Sequence, residues 1–289
     1  MNDYLLSALL GVIEGLTEFL PVSSTAHLRI VEEFFRKSDS FWLMYTIVIQ
    51  LGAVLCLPVY FRRRIGRFVA SFPRGEHGDR NAFNHPLTLT FIAFLATAIP
   101  AFLLTKVIGN NLKNIYVIGG ALVIGGVVMW VVDRLFTRPV THHMQEMTFG
   151  QALWIGLVQT LSAIFPGTSR SMSTIAAGQI AGMNRSSALE FSFFLSMPTM
   201  AAATLYDFYK TVIKHKGEEG QALPPVTMSH DRWVLLAIGF AISFVVALVV
   251  VHWFMGWVRK RGFTPFAIYR IVLGGAVLVW AWRGVHVAA

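Results

Sequence analysis

Six long apolar runs constrain this chain more than any other feature of its sequence. They are 41–61, 87–107, 115–132, 186–208, 233–256 and 265–286. A bilayer core is crossed by about 20 helical residues, so each run is long enough to span a membrane. Backbone polar groups in lipid must be satisfied within the segment, which favours α-helices. We therefore predict an all-α integral membrane protein whose six transmembrane helices form a single membrane domain, residues 1–289.

The composition agrees with a membrane protein. Charged residues make up 13% of the chain, against about 25% in soluble domains. The net charge is +9, but the basic residues stand in short blocks between apolar runs, as in membrane loops, so we expect membrane lipids as partners and no nucleic acid. Cys56 is the only cysteine, which excludes a disulfide within the chain. Residues 1–6 contain Asp3 and no basic stretch, so we expect no cleavable signal peptide.

Two further apolar regions are interrupted by short polar stretches. The region 5–35 is broken at Pro21 by Pro-Val-Ser-Ser-Thr, and the region 150–183 is broken at Pro166 by Pro-Gly-Thr-Ser-Arg-Ser. Each half is too short for a full span, which needs about 20 residues. Proline lacks the donor that would continue a helix, while serine and threonine can cap the helix that follows. We predict two re-entrant helical hairpins.

The order of the segments repeats within the chain. A broken segment is followed by three spans in 1–133, and the same order returns in 150–289. The sequences 15–24 and 156–169 are weakly similar around their prolines. An odd number of spans in each half predicts an inverted-topology repeat, an architecture whose broken helices meet near the middle of the membrane.

Basic residues favour one orientation of the chain. By the positive-inside rule, the loops after the first, third and fifth spans are cytoplasmic. These basic residues are Arg62, Arg63, Arg64, Arg67, Arg74, Arg80, Arg134, Arg138, Arg259, Lys260 and Arg261. Both termini then face outward. The opposite loop at 209–232 holds Lys210, Lys214 and Lys216 beside Glu218 and Glu219, so the bias is imperfect.

The first break carries ionisable groups that are costly to place in lipid. Glu14 and Glu18 are four residues apart and share one helix face, where two carboxylates can hold Mg²⁺ or Ca²⁺. Alternatively, they are solvated near a water-exposed mouth. After the break come Ser23, Ser24, Thr25 and His27. A hydroxyl beside a histidine suggests a nucleophile with a proton shuttle, although such hydroxyls taken alone are usually helix caps.

The second break supplies a cation. Arg170 is the only Lys or Arg between Gly150 and Arg185, and its planar fork suits phosphate oxygens. Polar neighbours are Thr168, Ser169, Ser171, Ser173 and Thr174. Alternatively, Arg170 neutralises a glutamate of the first break. Brought together, the two breaks would provide the groups for phosphoryl transfer. Glu190 and Asp207 could line the same cavity or stand at span ends.

These motifs resemble the undecaprenyl-pyrophosphate phosphatases of the bacitracin-resistance type. The resemblance rests on Glu14-Gly-Leu-Thr-Glu-Phe-Leu-Pro-Val-Ser-Ser-Thr25 with His27, and on Phe165-Pro-Gly-Thr-Ser-Arg-Ser171. Val48-Ile-Gln-Leu-Gly52, Glu190-Phe-Ser-Phe-Phe194 and Pro265-Phe-Ala-Ile-Tyr-Arg270 support it. It covers nearly the whole chain.

The resemblance implies hydrolysis of a polyprenyl diphosphate lipid, undecaprenyl diphosphate, to undecaprenyl phosphate and inorganic phosphate. It also implies a bacterial inner-membrane protein with a site open to the periplasm, and bacitracin resistance. By position, Glu14 and Glu18 match the family's metal-associated acids, and Ser24 matches its proposed nucleophile. His27 matches the essential histidine, and Arg170 matches the phosphate-binding arginine. The expected substrate-binding residues beside them are Ser23, Thr25, Ser169, Ser171 and Thr174. Ala26 stands where the family usually has glycine, which puts the fine geometry of that turn in doubt.

Several alternatives stay open at this point. Ser24 attacks the terminal phosphorus with His27 as base, or His27 or a glutamate activates a water while Ser24 only binds. The competing function is a transporter or flippase of polyprenyl phosphate lipids, because inverted repeats with re-entrant segments are frequent in transporters. A passive channel fits poorly, since nothing resembles a ring of selectivity groups. A homodimer is one assembly that the sequence leaves open.

Overall fold

The chain folds into helices throughout the part that its structure covers. A computed structural model of the protein describes residues 2–35, 40–112, 114–215 and 224–284. These ranges contain no β-strand, and their α-helices are α1 Asp3–Thr17, α2 Ser24–Phe35, α3 Ser40–Tyr60, α4 Arg62–Ser71, α5 Pro86–Leu103, α6 Thr105–Asn111, α7 Ile115–Leu135, α8 Phe149–Ile164, α9 Arg170–Ile180, α10 Arg185–Phe208, α11 His230–Arg261 and α12 Thr264–Trp282. The all-α prediction is confirmed.

Six helices are long and apolar enough to cross a membrane, which confirms a multi-pass membrane protein. They are α3, α5, α7, α11, α12, and α10 with the π-helical turn that extends it to Ile213. The span expected at 87–107 is shorter, because α5 ends at Leu103 and the separate helix α6 begins at Thr105. At this junction the Thr105 hydroxyl donates to the Phe102 carbonyl at 2.5 Å. Lys216, Glu218, Glu219 and the end of the sixth expected span lie outside the described residues.

The helices of the two halves pack in corresponding pairs. The half-helix α1 packs against α11, and its counterpart α8 packs against α5. The helices α3 and α10 pack against each other, as do α7 and α12. Exchanging the two halves maps the first two pairs onto each other and each of the last two pairs onto itself. This correspondence supports the inverted repeat, which stays a prediction, as do the boundaries of its two halves.

Two glycines at equivalent places permit the closest of these contacts. A side chain at Gly15 would collide with α11 near Val246, and a side chain at Gly156 would collide with the backbone of α5 at Ala93. Both glycines precede a break by a short distance, so the two half-helices approach their partners closely just before they end. This packing fixes where each break lies.

Ionic contacts fasten the end of the bundle that is predicted to be cytoplasmic. Arg185 at the start of α10 pairs with Asp133 of α7 at 2.7 Å, and Asp133 also accepts the Phe263 N–H at 3.1 Å. Glu190 pairs with Arg64 of α4 at 3.0 Å. Glu190 therefore belongs to a helix-end contact and not to the cavity lining.

Candidate active site

Both broken segments restart at a serine with unusual backbone geometry. The helix α2 begins after Ser23, whose φ is 71°, and α9 begins after Ser169, whose φ is 70°. Such left-handed conformations are uncommon for residues other than glycine and concentrate at functional sites. The Ala26 N–H donates to the Ser23 hydroxyl, and the Met172 N–H donates to the Ser169 hydroxyl, both at 3.4 Å. For these two serines the helix-cap interpretation is confirmed.

A buried arginine joins the two breaks. Arg270 of α12 is 0% exposed, and its guanidinium donates to the carbonyls of Pro21 at 3.2 Å, Gly167 at 2.9 Å and Ala121 at 3.1 Å. Non-helical backbone at membrane depth is tolerated only when it is buried in protein with its polar groups satisfied. Arg270 supplies donors to one carbonyl from each break and one from α7, so it holds the breaks beside each other.

We expect Arg270→Met to lower the melting temperature of the detergent-purified protein strongly. The apolar side chain would leave the buried carbonyls of Pro21 and Gly167 without this donor, and each such orphan costs about 1–3 kcal/mol. The matched control is Arg283→Met, the same change at an exposed position just after α12. An equal, small shift of the melting temperature in both variants would mean that Arg270 does not hold the two breaks beside each other.

The centre of the site is a chain of three side chains. The Ser24 hydroxyl donates to Glu18 Oε2 at 2.5 Å, and Arg170 Nη2 lies 3.2 Å from Glu18 Oε1. Arg170 Nη1 also donates to the Ser196 hydroxyl of α10. The structure thus brings the acid and hydroxyl of the first break against the arginine of the second. The alternative in which Arg170 neutralises a glutamate of the first break therefore holds for Glu18, and phosphate binding by Arg170 stays a prediction.

Glu14 and Arg170 both have buried side-chain atoms that make no hydrogen bond among the described residues. Glu14 is 0% exposed. The alternative that this residue is solvated near a water-exposed mouth is therefore wrong. Neither carboxylate oxygen of Glu14 has a hydrogen-bond partner among the described residues, and the same holds for Arg170 Nε. An orphaned buried carboxylate fits a cation, and an orphaned guanidinium donor fits an anion. The site therefore offers complementary places for a metal ion and a phosphate oxygen.

His27 makes different contacts from those expected of a base for Ser24. Its Nδ1 lies 2.7 Å from the Ser23 carbonyl oxygen, and its Nε2 lies 2.6 Å from the Tyr269 hydroxyl. The carbonyl can only accept, so Nδ1 carries the proton, and in the neutral ring Nε2 accepts from Tyr269. The rings of His27 and Tyr269 are also nearly parallel, with centroids 5.7 Å apart. Both nitrogens of His27 are thus engaged away from the Ser24–Glu18 bond.

Three predicted substrate-binding residues remain. One of them lines a cavity, and the other two connect α9 to neighbouring segments. Thr25 lines a cavity beside Ser24. The Ser171 hydroxyl donates to the Glu18 carbonyl at 3.3 Å and so ties α9 to the first break. The Thr174 hydroxyl lies 2.7 Å from that of Ser192 and fastens α9 to α10. Their predicted contacts with substrate stay predictions.

Sequence reasoning missed three residues that shape the site. Arg270 and Tyr269 were noticed only as the end of a motif, and Ser196 was not noticed. An arginine within an apolar span is itself a signal of function or of a buried partner, so Arg270 could have been found. Nothing local marks Tyr269 or Ser196, because their partners are 242 and 26 residues away.

The chain is similar to known proteins over most of its length. The sequence model of the family described as bacitracin resistance protein BacA matches residues 7–276. A protein of Koribacter versatilis named undecaprenyl-diphosphatase is 64% identical over 284 residues, which cover 97% of this chain and 99% of that protein. An undecaprenyl-diphosphatase of Caldanaerobacter subterraneus is 38% identical over 93% of both chains. The undecaprenyl-diphosphatase 2 of Paramagnetospirillum magneticum is 40% identical over 94% of this chain and 96% of its own.

Proposed function

We propose that this chain, which belongs to the BacA family of bacitracin resistance proteins, hydrolyses undecaprenyl diphosphate to undecaprenyl phosphate and inorganic phosphate. The observation that carries the proposal is the position of Glu18, which contacts the Ser24 hydroxyl through one oxygen and Arg170 through the other. The Ser24 hydroxyl, a proton acceptor in Glu18 and a phosphate-binding cation in Arg170 therefore lie together in a buried site, as a phosphatase requires.

In the proposed reaction, Ser24 is the nucleophile. Its Oγ attacks the terminal phosphorus while its proton passes to Glu18, and the bond from that phosphorus to the bridging oxygen breaks to release undecaprenyl phosphate. Water then attacks the phosphoserine, and the bond from phosphorus to Ser24 Oγ breaks while Glu18 returns its proton to that oxygen. The added water keeps its protons and leaves as part of inorganic phosphate. The 2.5 Å hydrogen bond from Ser24 to Glu18 favours this path, because a proton acceptor must lie within hydrogen-bond reach.

Arg170 and His27 have supporting roles in this reaction. The Arg170 guanidinium holds the oxygens of the terminal phosphate and offsets their charge, with its Nε as the available donor. His27 lies on the same turn of α2 as Ser24, and its bonds to the Ser23 carbonyl and the Tyr269 hydroxyl hold that turn against α12. In the alternative path, a water activated by a glutamate or His27 attacks directly and Ser24 only binds.

A divalent cation, Mg²⁺ or Ca²⁺, fits beside these residues. No group of three His, Cys, Asp or Glu side chains suited to a metal occurs among the described residues. Mg²⁺ nevertheless often uses one or two carboxylates together with substrate phosphates, and Glu14 and Glu18 supply two. When bound there, the cation would neutralise phosphate charge and polarise a phosphoryl oxygen.

We expect excess chelator to abolish phosphate release, and Mg²⁺ or Ca²⁺ to restore it. A second readout needs no turnover: the cation should raise the melting temperature of the wild type, since binding at 100 times Kd stabilises a protein by about 2.7 kcal/mol. Glu14→Gln should lose this rise, while Asp3→Asn, an acid-to-amide change at an exposed position of the same helix, should keep it. Full activity in excess chelator would contradict the proposed cation.

The cellular setting is part of the proposal. The basic loops favour a bacterial inner-membrane protein with both termini outward and a site reached from the periplasm. Recycling of the lipid carrier there would support cell-wall synthesis and would give bacitracin resistance. Assembly as a homodimer stays a prediction.

The test of the proposed function is phosphate release from undecaprenyl diphosphate by the purified protein in detergent with Mg²⁺ or Ca²⁺. Release that depends on the protein and yields undecaprenyl phosphate in equal amount is the expected result. A folded protein that binds the lipid without releasing phosphate would instead favour the flippase, which would then be tested by lipid translocation in vesicles.

A further inference from the structure

The short helix α4 begins where the apolar span α3 ends. One residue separates them, since α3 ends at Tyr60 and α4 begins at Arg62. The Phe61 N–H donates to the Leu57 carbonyl and the Ile65 N–H donates to the Phe61 carbonyl, both at 2.8 Å. These bonds join α4 directly to the end of the span. A basic helix in this position lies at the boundary between lipid and water.

One face of α4 is packed against the bundle. Phe68 is 1% exposed, and its ring lies 5.5 Å from that of Phe194 of α10, measured between centroids. Arg64, four residues earlier on the same face, pairs with Glu190 of α10 at 3.0 Å. These contacts fix the rotation of α4 about its own axis, so the opposite face is held away from the bundle.

The opposite face carries arginines that have no acidic partner. Arg62, Gly66 and Val69 are at positions i, i+4 and i+7 and therefore form one stripe along the helix. A side chain at Gly66 would meet no other atom within 4 Å among the described residues, so this stripe faces open space. In the part of the chain that the structure describes, neither Arg62 nor Arg63 pairs with an acid.

The charges at the start of α4 are unfavourable without an anion. The first turn of α4 contains no acidic residue, although the positive end of the helix dipole favours anions there and disfavours cations. Arg62 donates to the Val59 carbonyl at 3.3 Å, but a neutral carbonyl does not cancel the charge. An anion at this turn would offset the repulsion between Arg62 and Arg63.

Exposed apolar side chains accompany these arginines. Val69 is 61% exposed, Phe72 is 50% exposed and Phe83 is 80% exposed. Phe72 follows the last residue of α4, and Phe83 stands three residues before Pro86, where the span α5 begins. A soluble anion gains nothing from such side chains. A phospholipid offers its phosphate to the arginines and its acyl chains to the apolar residues.

We propose that the outward face of α4 binds the headgroups of anionic phospholipids at the membrane boundary. We call this face the α4 surface and define it by Arg62, Arg63, Val69 and Phe72. The lipid phosphate lies against the two guanidinium groups, whose planar forks suit its oxygens, and the two apolar side chains enter the upper acyl region. Because the packed face of α4 is joined to α10, the bound lipid also holds this end of the bundle at the membrane boundary.

The experiment uses a fluorescent probe on the α4 surface itself. Gly66→Cys labelled with bimane places the probe in open space, while the native Cys56 is buried. The labelled full-length protein is reconstituted into phosphatidylcholine vesicles that contain increasing amounts of a quenching lipid, spin-labelled at the top of one acyl chain. We expect half-quenching at a lower mole fraction of labelled phosphatidylglycerol than of labelled phosphatidylcholine.

A double substitution tests the two arginines. In the labelled protein, Arg62→Gln with Arg63→Gln should raise the mole fraction of phosphatidylglycerol for half-quenching by about fivefold or more, the contribution of one or more basic residues near an anionic membrane. The matched control is Arg134→Gln with Arg138→Gln, which removes two exposed arginines after α7, at the same end of the bundle, and should keep the original value. Melting curves in detergent should be unchanged in both, because all four side chains are exposed.

Three results would overturn the proposal. Equal quenching by the two labelled lipids would show that the α4 surface does not select anionic headgroups. An equal rise in the control would show that the net charge of this end, and not the α4 surface, attracts the lipid. Loss of the preference in excess inorganic phosphate would show a site for a soluble anion. None of these measurements uses phosphate release, so they are independent of the phosphatase.

Discussion

Glu18→Gln is expected to reduce phosphate release from undecaprenyl diphosphate by about 10²–10⁴-fold, the usual contribution of a general base. An amide cannot take the proton that Ser24 gives up through the 2.5 Å hydrogen bond. It also cannot neutralise Arg170, which lies 3.2 Å from the carboxylate. The measurement is the initial rate at saturating lipid, with Asp3→Asn as the acid-to-amide control on the same helix.

The Glu18 variant needs a parallel measurement of stability. Removing one partner of a buried ion pair costs about 3–5 kcal/mol because the other charge is left uncompensated, and Arg170 is only 11% exposed. A melting curve in detergent will separate lost chemistry from lost fold. A folded variant whose rate stays within tenfold of the wild type would show that Glu18 is not the proton acceptor.

Ser24→Ala is expected to lose activity by about a thousandfold or more, on the scale seen when a nucleophilic serine is removed. This change leaves the Glu18–Arg170 pair intact, so it carries little risk of unfolding. Ser243→Ala is the matched control: Ser243 is also buried, and its hydroxyl donates at 2.7 Å to the Ile49 carbonyl, outside the site. The control should keep its rate and lose about 1 kcal/mol of stability.

A second readout distinguishes the two paths of attack. If Ser24 is the nucleophile, lipid labelled in its terminal phosphate should leave label on the wild-type protein after an acid quench, and none on Ser24→Ala. Residual activity of Ser24→Ala within tenfold of the wild type, with no label on either protein, would favour direct attack by water.

The spans and the two breaks could be predicted because their causes are local. Length and hydropathy determine which segments cross a membrane, and Pro21 and Pro166 mark the breaks that follow α1 and α8. The i, i+4 spacing likewise placed Glu14 and Glu18 on one face before any contact was known. A pairing of Arg170 with one of the two glutamates was an alternative that charge alone allowed, and the sequence did not say which of the two it would contact.

The details of the site could not be predicted because their causes are tertiary. His27 is three residues after Ser24, and this spacing suggested a base for the nucleophile. In the fold its Nδ1 contacts the Ser23 carbonyl and its Nε2 contacts Tyr269 of α12. The left-handed backbone at Ser23 and Ser169 has no sequence signature either, since serine normally avoids it. The end of α5 at Leu103 was missed because Leu103 and Leu104 are as apolar as the residues before them.

The shared guanidinium of Arg270 has a mechanical consequence for the competing flippase. Alternating access in inverted-repeat transporters rocks one half of the protein against the other around a fixed site. Here a single side chain bonds the first break, the second break and α7 at once. Rocking would have to separate these buried contacts in every cycle, in surroundings where an unpaired polar group is most costly. Contacts that hold the two breaks beside each other suit a catalyst whose groups must keep their positions.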